Sequence, residues 1–188
     1  MNELLEELGL RNQITIEDIP EIDLYMDQVI QLFEKKFNDS KRNDEEKLLT
    51  KTMINNYAKG KLFFPIKNKK YSKEHIILIS LIYQLKGALS INDIKQTLDG
   101  VNNRITGGLM ELDEFYNGYL DIVDKNVTGF KEEVEKKSND VNKELESLHA
   151  EEDKELEQIL LIASLVNMSN LYRRTAEKMI DALGSKEK

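Results

Sequence analysis

Two groups of polar and basic side chains in the middle of the chain have the types and spacing that DNA binding requires. The first group lies on residues 51–59, a short segment whose apolar positions would face a core and whose other positions would face solvent. Asn can form paired hydrogen bonds with adenine, and Lys and Thr can reach bases or phosphates from the major groove. The residues expected on this outward face are Lys51, Thr52, Asn55, Asn56 and Lys59.

The second group follows directly, where basic residues separate two apolar stretches. Residues 62–65 and Lys70-Tyr71 flank residues 66–69, a pattern that predicts a small β-hairpin with a basic tip. Lysines on such a tip would contact the DNA backbone and position the domain, while the asparagines of the first group would specify sequence. The residues predicted to contact the DNA backbone are Lys67, Lys69, Lys70 and Lys73.

Charge is distributed unevenly along the 188 residues. The whole chain has 27 Lys and Arg against 35 Asp and Glu, a net charge of -8, which argues against a protein that coats nucleic acid along its length. Residues 47–106 carry 11 basic and 3 acidic residues, net +8, whereas residues 1–46 and 107–188 each have a net charge of -8. This basic segment is either a polyanion-binding surface or a solvated lysine face that offsets its acidic neighbours.

The hydrophobic pattern predicts a mainly α-helical protein. Only 2 Pro and 9 Gly interrupt the sequence, and apolar residues recur with helical spacing. Helices are predicted over residues 23–37, 51–59 and 73–86, with Thr50 and Ser72 as the N-caps of the last two. A further helix begins at Ser90 with a capping-box pattern and is predicted to end near Leu98.

Residues 100–108 (GVNNRITGG) combine turn formers with no hydrophobic period, so they predict a linker between a first domain, residues 1–99, and a second, residues 109–188. Beyond the linker, apolar residues step mostly by three and four as far as Leu148, which is typical of a long helix packed along one seam. A last helix follows over residues 151–182. The residues predicted to form a dimerisation seam are Leu109, Leu112, Tyr116, Val123, Val127, Phe130 and Val134.

Several short motifs of the middle segment match a known family. They are Met53-Ile54-Asn55-Asn56-Tyr57, Tyr71-Ser72 and residues 89–95 (LSINDIK), and they resemble a MerR-type winged helix-turn-helix over about residues 48–98. With residues 17–26 (EDIPEIDLYM) included, the chain is most similar to an uncharacterised bacterial family of unknown function that is regarded as a MerR relative. The resemblance implies a recognition helix, a basic wing, and a long helix that pairs with a second subunit in an antiparallel coiled coil.

The sequence departs from the MerR pattern at functional positions. Asn55 stands where that pattern has Arg, and Lys69 replaces the usual Arg of the wing. No Arg occurs between residues 43 and 103, although Arg is the commonest reader of guanine. Two functions therefore stay open: a sequence-specific DNA-binding transcriptional regulator acting as a homodimer, or a non-catalytic protein-interaction adaptor that keeps a winged-helix fold without reading DNA.

No catalytic, metal or cofactor site is predicted. The chain has no Cys, two His and no Gly-rich phosphate loop, and its carboxylate clusters are expected to be solvated helix faces. The N-terminus lacks a signal-peptide pattern and no apolar stretch could span a bilayer, so we expect a cytoplasmic protein without a membrane partner. The sequence leaves open an effector or protein partner, and whether the long helices pair within one chain or between two.

Overall fold

The computed structural model describes residues 2–184, and over these residues the chain forms seven α-helices and one two-stranded antiparallel sheet. The predicted mainly helical class with a small sheet is confirmed. In chain order the elements are α1 (Asn2–Glu7), β1 (Leu24–Tyr25), α2 (Met26–Phe37), α3 (Lys51–Lys59), β2 (Lys70–Tyr71), α4 (Lys73–Leu85), α5 (Ile91–Thr106), α6 (Leu112–Ser147) and α7 (Lys154–Gly184).

Helix α4 is the centre of the core. Its residues Ile76 to Ile79 are completely buried, so neighbouring elements cover every side of the helix. Helix α2 contributes Phe33 and Phe37, whose ring centroids lie 5.6 Å and 4.8 Å from that of Tyr83 on α4. Burial of these large apolar side chains is the main stabilising contribution to such a core.

Side-chain caps fix the helix starts at the predicted residues. The Thr50 hydroxyl accepts a hydrogen bond from the Met53 amide at 3.1 Å, which starts α3 at Lys51. At the start of α4, the Ser72 amide donates to Nδ1 of His75 at 3.1 Å. Ser90 and Asp93 form a reciprocal capping box at the start of α5, with both backbone bonds at 3.2 Å.

The strand pairing differs from the predicted hairpin. Strand β2 pairs with β1, where Leu24 faces Tyr71 and Tyr25 faces Lys70, and not with residues 62–65. Residues 67–70 nevertheless form a tight turn, because the Lys70 amide donates to the Lys67 carbonyl at 2.9 Å. The two central residues of this turn have positive φ values of 51° and 58°, the conformation of a type I′ turn.

The predicted linker is mostly helical. Helix α5 does not end near Leu98 but continues through Thr106, because Val101 and Ile105 extend its apolar stripe onto the core. Gly108, with a φ of +65°, then allows the Leu109 amide to donate to the Arg104 carbonyl at 2.8 Å, which closes the helix end.

The two long helices pack against each other within one chain. A short connection joins α6 to α7, and the Tyr172 hydroxyl on α7 donates to the Glu133 carboxylate on α6 at 2.9 Å. The end of α7 packs against α5, where Gln96 Nε2 donates to the Ile180 carbonyl at 2.6 Å. Of the two arrangements left open by the sequence, the fold of the single chain therefore contains the intramolecular hairpin.

Four of the seven residues predicted to form a dimerisation seam are buried within their own chain. Leu112 and Tyr116 belong to the core around α4, Val127 lies beside the segment that follows α1, and Val134 is buried between α6 and its neighbours. An apolar helix stripe does not reveal which partner covers it, so the same spacing suits both arrangements. The remaining seam residues are half-buried or exposed: Val123, Phe130 and Leu109.

Candidate nucleic-acid interface

Helix α3 presents its polar face to solvent as predicted. Ile54 and Tyr57 are buried against the core, with 0% and 4% of their surfaces exposed. This orientation leaves the opposite face of the helix open along its full length. The five residues predicted to face outward are all exposed: Lys51, Thr52, Asn55, Asn56 and Lys59.

Specific contacts hold both ends of α3 in place. Before its start, the ammonium of Lys86, the residue that follows α4, donates to the Leu48 carbonyl at 2.8 Å and lies 4.3 Å from the centre of the Tyr83 ring. Burial lowers the pKa of Lys86. After its end, the Leu62 amide donates back to the Tyr57 carbonyl at 3.0 Å, a Schellman arrangement. The helix therefore presents its polar face at a fixed angle to the core.

The basic residues of the second group are placed differently from one another. Lys67 and Lys69 are exposed on the turn. Lys70 is half-buried, and its ammonium lies 5.2 Å from the centre of the Tyr25 ring. Lys73 points to α6, where it pairs with Asp113 at 2.6 Å, and this hydrogen bond raises the pKa of Lys73. Lys73 thus joins two helices. It is not free for the contact with the DNA backbone that the sequence predicts.

The start of α2 connects α3 to the turn. The Lys51 ammonium lies 2.6 Å from the Asp27 carboxylate. Tyr25 lies two residues before Asp27, and the Lys70 ammonium packs over its ring. These two contacts put the start of α3 and the turn on either side of residues 25–27. We call the combined region the basic surface, and it comprises Lys51, Thr52, Asn55, Asn56, Lys59, Lys67, Lys69 and Lys70.

Sequence reasoning missed Tyr25 and Asp27 as parts of this region. Asp27 is an acidic residue in the first turn of α2, which by itself indicates only a favourable helix dipole. Its position beside Lys51 depends on how α2 and α3 pack. The alternation of buried Leu24 and exposed Tyr25 is the single local sign of a strand there.

A buried histidine fixes the segment that leads into the turn. Nδ1 of His75 accepts from the Ser72 amide, and Nε2 lies 3.1 Å from the Phe64 carbonyl. Burial lowers the pKa of His75, so the ring is neutral and its Nε2–H donates to Phe64. The Phe64 ring also lies 4.1 Å from the imidazole, centroid to centroid. These contacts attach the turn to α4.

Residues 14–119 match a known family, described as Domain of unknown function (DUF1836). The chain belongs to this family. The DUF1836 region coincides with the main core, whose buried cluster runs from Ile14 to Tyr116. It includes the whole basic surface and the first turns of α6, and excludes α7. No curated protein and no solved structure matches this DUF1836 chain.

Residues 2–184 contain no group of three or more His, Asp and Glu residues arranged to hold a metal ion. None of the helices formed by these residues is both long enough and apolar enough to cross a lipid bilayer.

Proposed function

We propose that this DUF1836 protein binds double-stranded DNA through the basic surface and regulates transcription as a homodimer. The observation that carries the proposal is the exposed Lys, Thr and Asn face of α3, held at both ends and adjacent to the basic turn. This face lies in the segment with a net charge of +8, although the whole chain has a net charge of -8. A polar helix face beside a basic turn is the arrangement by which helix-turn-helix proteins contact a groove and its phosphates.

The proposed contacts divide into two kinds. Asn55 and Asn56 would contact base edges in the major groove. The side chain of Asn is suited to forming two hydrogen bonds with one adenine. Lys59, Lys67 and Lys69 would contact phosphates and supply the salt-dependent part of the affinity. On this interpretation α2 and α3 act as a helix-turn-helix and the turn acts as a wing, which extends the MerR resemblance of the sequence to function.

The proposed homodimer uses α7. Ile159, Ile162 and Val166 recur at helical spacing and are 54%, 61% and 55% exposed. Helix α7 packs on α6, and Leu161 and Leu165 on its opposite side are half-buried. Ile159, Ile162 and Val166 therefore form a second apolar face. A two-fold pairing of this face with its copy would bury the stripe and bring two basic surfaces into one assembly.

Selection of genomic fragments by the purified full chain tests the proposal. Fragments of the source genome are incubated with the protein at low salt, and the retained DNA is sequenced and its affinity measured against salt concentration. The test variant carries Lys67→Glu and Lys69→Glu, because both side chains are exposed and contribute nothing visible to the core. The control carries Lys136→Glu and Lys143→Glu, which makes the same change of charge on exposed positions of α6.

The proposal predicts retention of specific fragments, an affinity that falls steeply with salt, and loss of binding in the turn variant alone. Equal weakening by both variants would show a general charge effect. Absence of any retained fragment at low salt would contradict DNA binding.

The protein-interaction adaptor is the second candidate, and the ion pairs of two predicted DNA-contact residues favour it. Lys51 is paired with Asp27, and Lys73 is paired with Asp113, so two of the nine predicted DNA contacts already have protein partners. Under the adaptor function, the turn variant would leave a weak DNA signal unchanged and would weaken a complex with an acidic protein.

A further inference from the structure

A cavity of about 490 Å³ lies between the end of α4, the middle of α6 and the middle of α7. Beyond it, the end of α7 packs against α5, where Gln96 donates to the Ile180 carbonyl. The volume lies within the range of small-molecule sites. Its apolar lining comes from all three helices and their ends, and includes Leu85, Leu89, Phe130, Val134, Leu165 and Met168.

The charged groups at this cavity favour an anionic ligand group. Two cations, Lys137 and Arg173, and one carboxylate, Glu133, belong to the lining. Glu133 accepts a hydrogen bond from the Tyr172 hydroxyl at 2.9 Å, and this bond raises the pKa of Tyr172. Glu133 therefore already has a hydrogen-bond donor within the chain, and the lining itself carries two cations and one carboxylate.

Of the two cations, Lys137 is the one whose N–H donors are more available to a ligand. Arg173 is held by Glu177 at 2.6 Å and by Asn170 at 3.4 Å. Lys137 pairs with Asp140 at 4.0 Å, which is beyond hydrogen-bond distance, and its side chain is only 26% exposed. A partly buried ammonium with no close acceptor is well suited to a ligand carboxylate.

We propose that this cavity binds a small monocarboxylic acid with an apolar body. The apolar body would lie against Leu165, Met168 and Val134, and the carboxylate would accept hydrogen bonds from the Lys137 ammonium. The site lies outside the basic surface and uses α7, so the proposal stands whether or not the protein binds DNA.

Binding of octanoate to the full chain tests the proposal by isothermal titration calorimetry, with octanol as the uncharged analogue. Octanoate should bind with a saturable isotherm and octanol more weakly. The Lys137→Gln variant should weaken octanoate binding by about tenfold, the loss of roughly one charge-assisted hydrogen bond, and should leave octanol unchanged. Equal weakening of both compounds would overturn the role of Lys137, and the absence of octanoate binding would overturn the site.

A matched pair of substitutions on α7 tests the location. Ala176 lines the cavity, whereas Ala163 lies on an exposed face of the same helix. Ala176→Phe should abolish octanoate binding and Ala163→Phe should preserve it, with helical content checked by circular dichroism. If Ala163→Phe also abolished binding while folded, or Ala176→Phe preserved it, the cavity would not be the site.

A measurement on the wild-type chain tests the location even if the cavity variant does not fold. Met168 lines the cavity, and Met179, on the same helix, is 66% exposed and is not part of the lining. In a chain with ¹³C-labelled methionine methyl groups, octanoate should shift the Met168 resonance and leave the Met179 resonance in place. Shifts of equal size at both would contradict a defined site.

Discussion

The hydroxyl of Tyr116, on the second turn of α6, donates a 2.7 Å hydrogen bond to the carbonyl oxygen of Ile14, which lies 102 residues earlier in the chain. Both residues are buried, with 1% and 0% of their surfaces exposed. Burial raises the pKa of Tyr116 to about 12, so the phenol stays protonated and remains a donor. This bond makes the start of the long helix part of the DUF1836 core.

Removing that hydroxyl should destabilise the protein without changing its shape. Tyr116→Phe leaves the buried Ile14 carbonyl without its donor, and we expect the free energy of unfolding to fall by about 1–3 kcal/mol. Urea unfolding followed by circular dichroism measures the change. Tyr119→Phe is the control, because Tyr119 stacks on Tyr116 at 6.0 Å and that variant keeps both the stacking and the Tyr116–Ile14 bond. Equal losses in the two variants would contradict the assignment.

If the basic surface binds DNA as proposed, Asp27 should weaken that binding. Its carboxylate neutralises Lys51 at 2.6 Å and would lie near DNA phosphates. Asp27→Asn should tighten binding at low salt about fivefold, since a unit charge a few ångströms from a phosphate contributes about 1 kcal/mol in water. Fluorescence anisotropy with a retained fragment measures the affinity. Asp124→Asn, which breaks the exposed ion pair with Arg11, is the control and should have no effect.

Lys69 combines an unfavourable backbone conformation with a proposed phosphate contact. Its φ of 58° is one that glycine adopts more easily than lysine. Lys69→Gly should therefore raise the free energy of unfolding by up to about 1 kcal/mol. It should also reduce the salt dependence of DNA binding by about one unit of slope. Lys69→Ala separates the two effects, because it loses the charge without gaining backbone freedom. A Gly variant with unchanged salt dependence would remove Lys69 from the interface.

His75 should make stability depend on pH. Burial lowers its pKa in the folded protein below the ordinary value of 6.5, so the unfolded chain binds more protons just below that pH. Stability therefore falls as the pH decreases from 6.5. Urea unfolding at several pH values down to about pH 5, above the range where most carboxylates titrate, measures the loss. His75→Gln should flatten this dependence, and a His75 titration midpoint above 6.5 by NMR would contradict the prediction.

Ile162 should control the oligomeric state on the proposed function. Ile162→Glu places a charge in the centre of the exposed apolar stripe, so the homodimer should dissociate to monomers. Sedimentation velocity measures the mass in solution. Met179→Glu is the control, because Met179 is 66% exposed on another face of α7. A wild-type chain that is monomeric at all concentrations would end the dimer proposal.

The sequence by itself determined the helices that local rules specify. Thr50, Ser72 and Ser90 cap their helices because a cap needs only residues three positions away. The outward face of α3 could equally be predicted from the sequence. Ile54 and Tyr57 identify the buried side of the helix, and the polar residues lie opposite. The turn at residues 67–70 also depends on adjacent residues alone.

Only the tertiary structure decided which segments meet. The pairing of β2 with β1, the Tyr116–Ile14 bond and the ion pair of Lys51 with Asp27 each join parts of the chain whose contact no local pattern encodes. Helix α5 continues past Gly100 because the core covers Val101 and Ile105, which outweighs the weak helix preference of its glycine and asparagines. Periodicity identifies an apolar face but not its partner, so the division of α6 between core, hairpin and cavity required the packed chain.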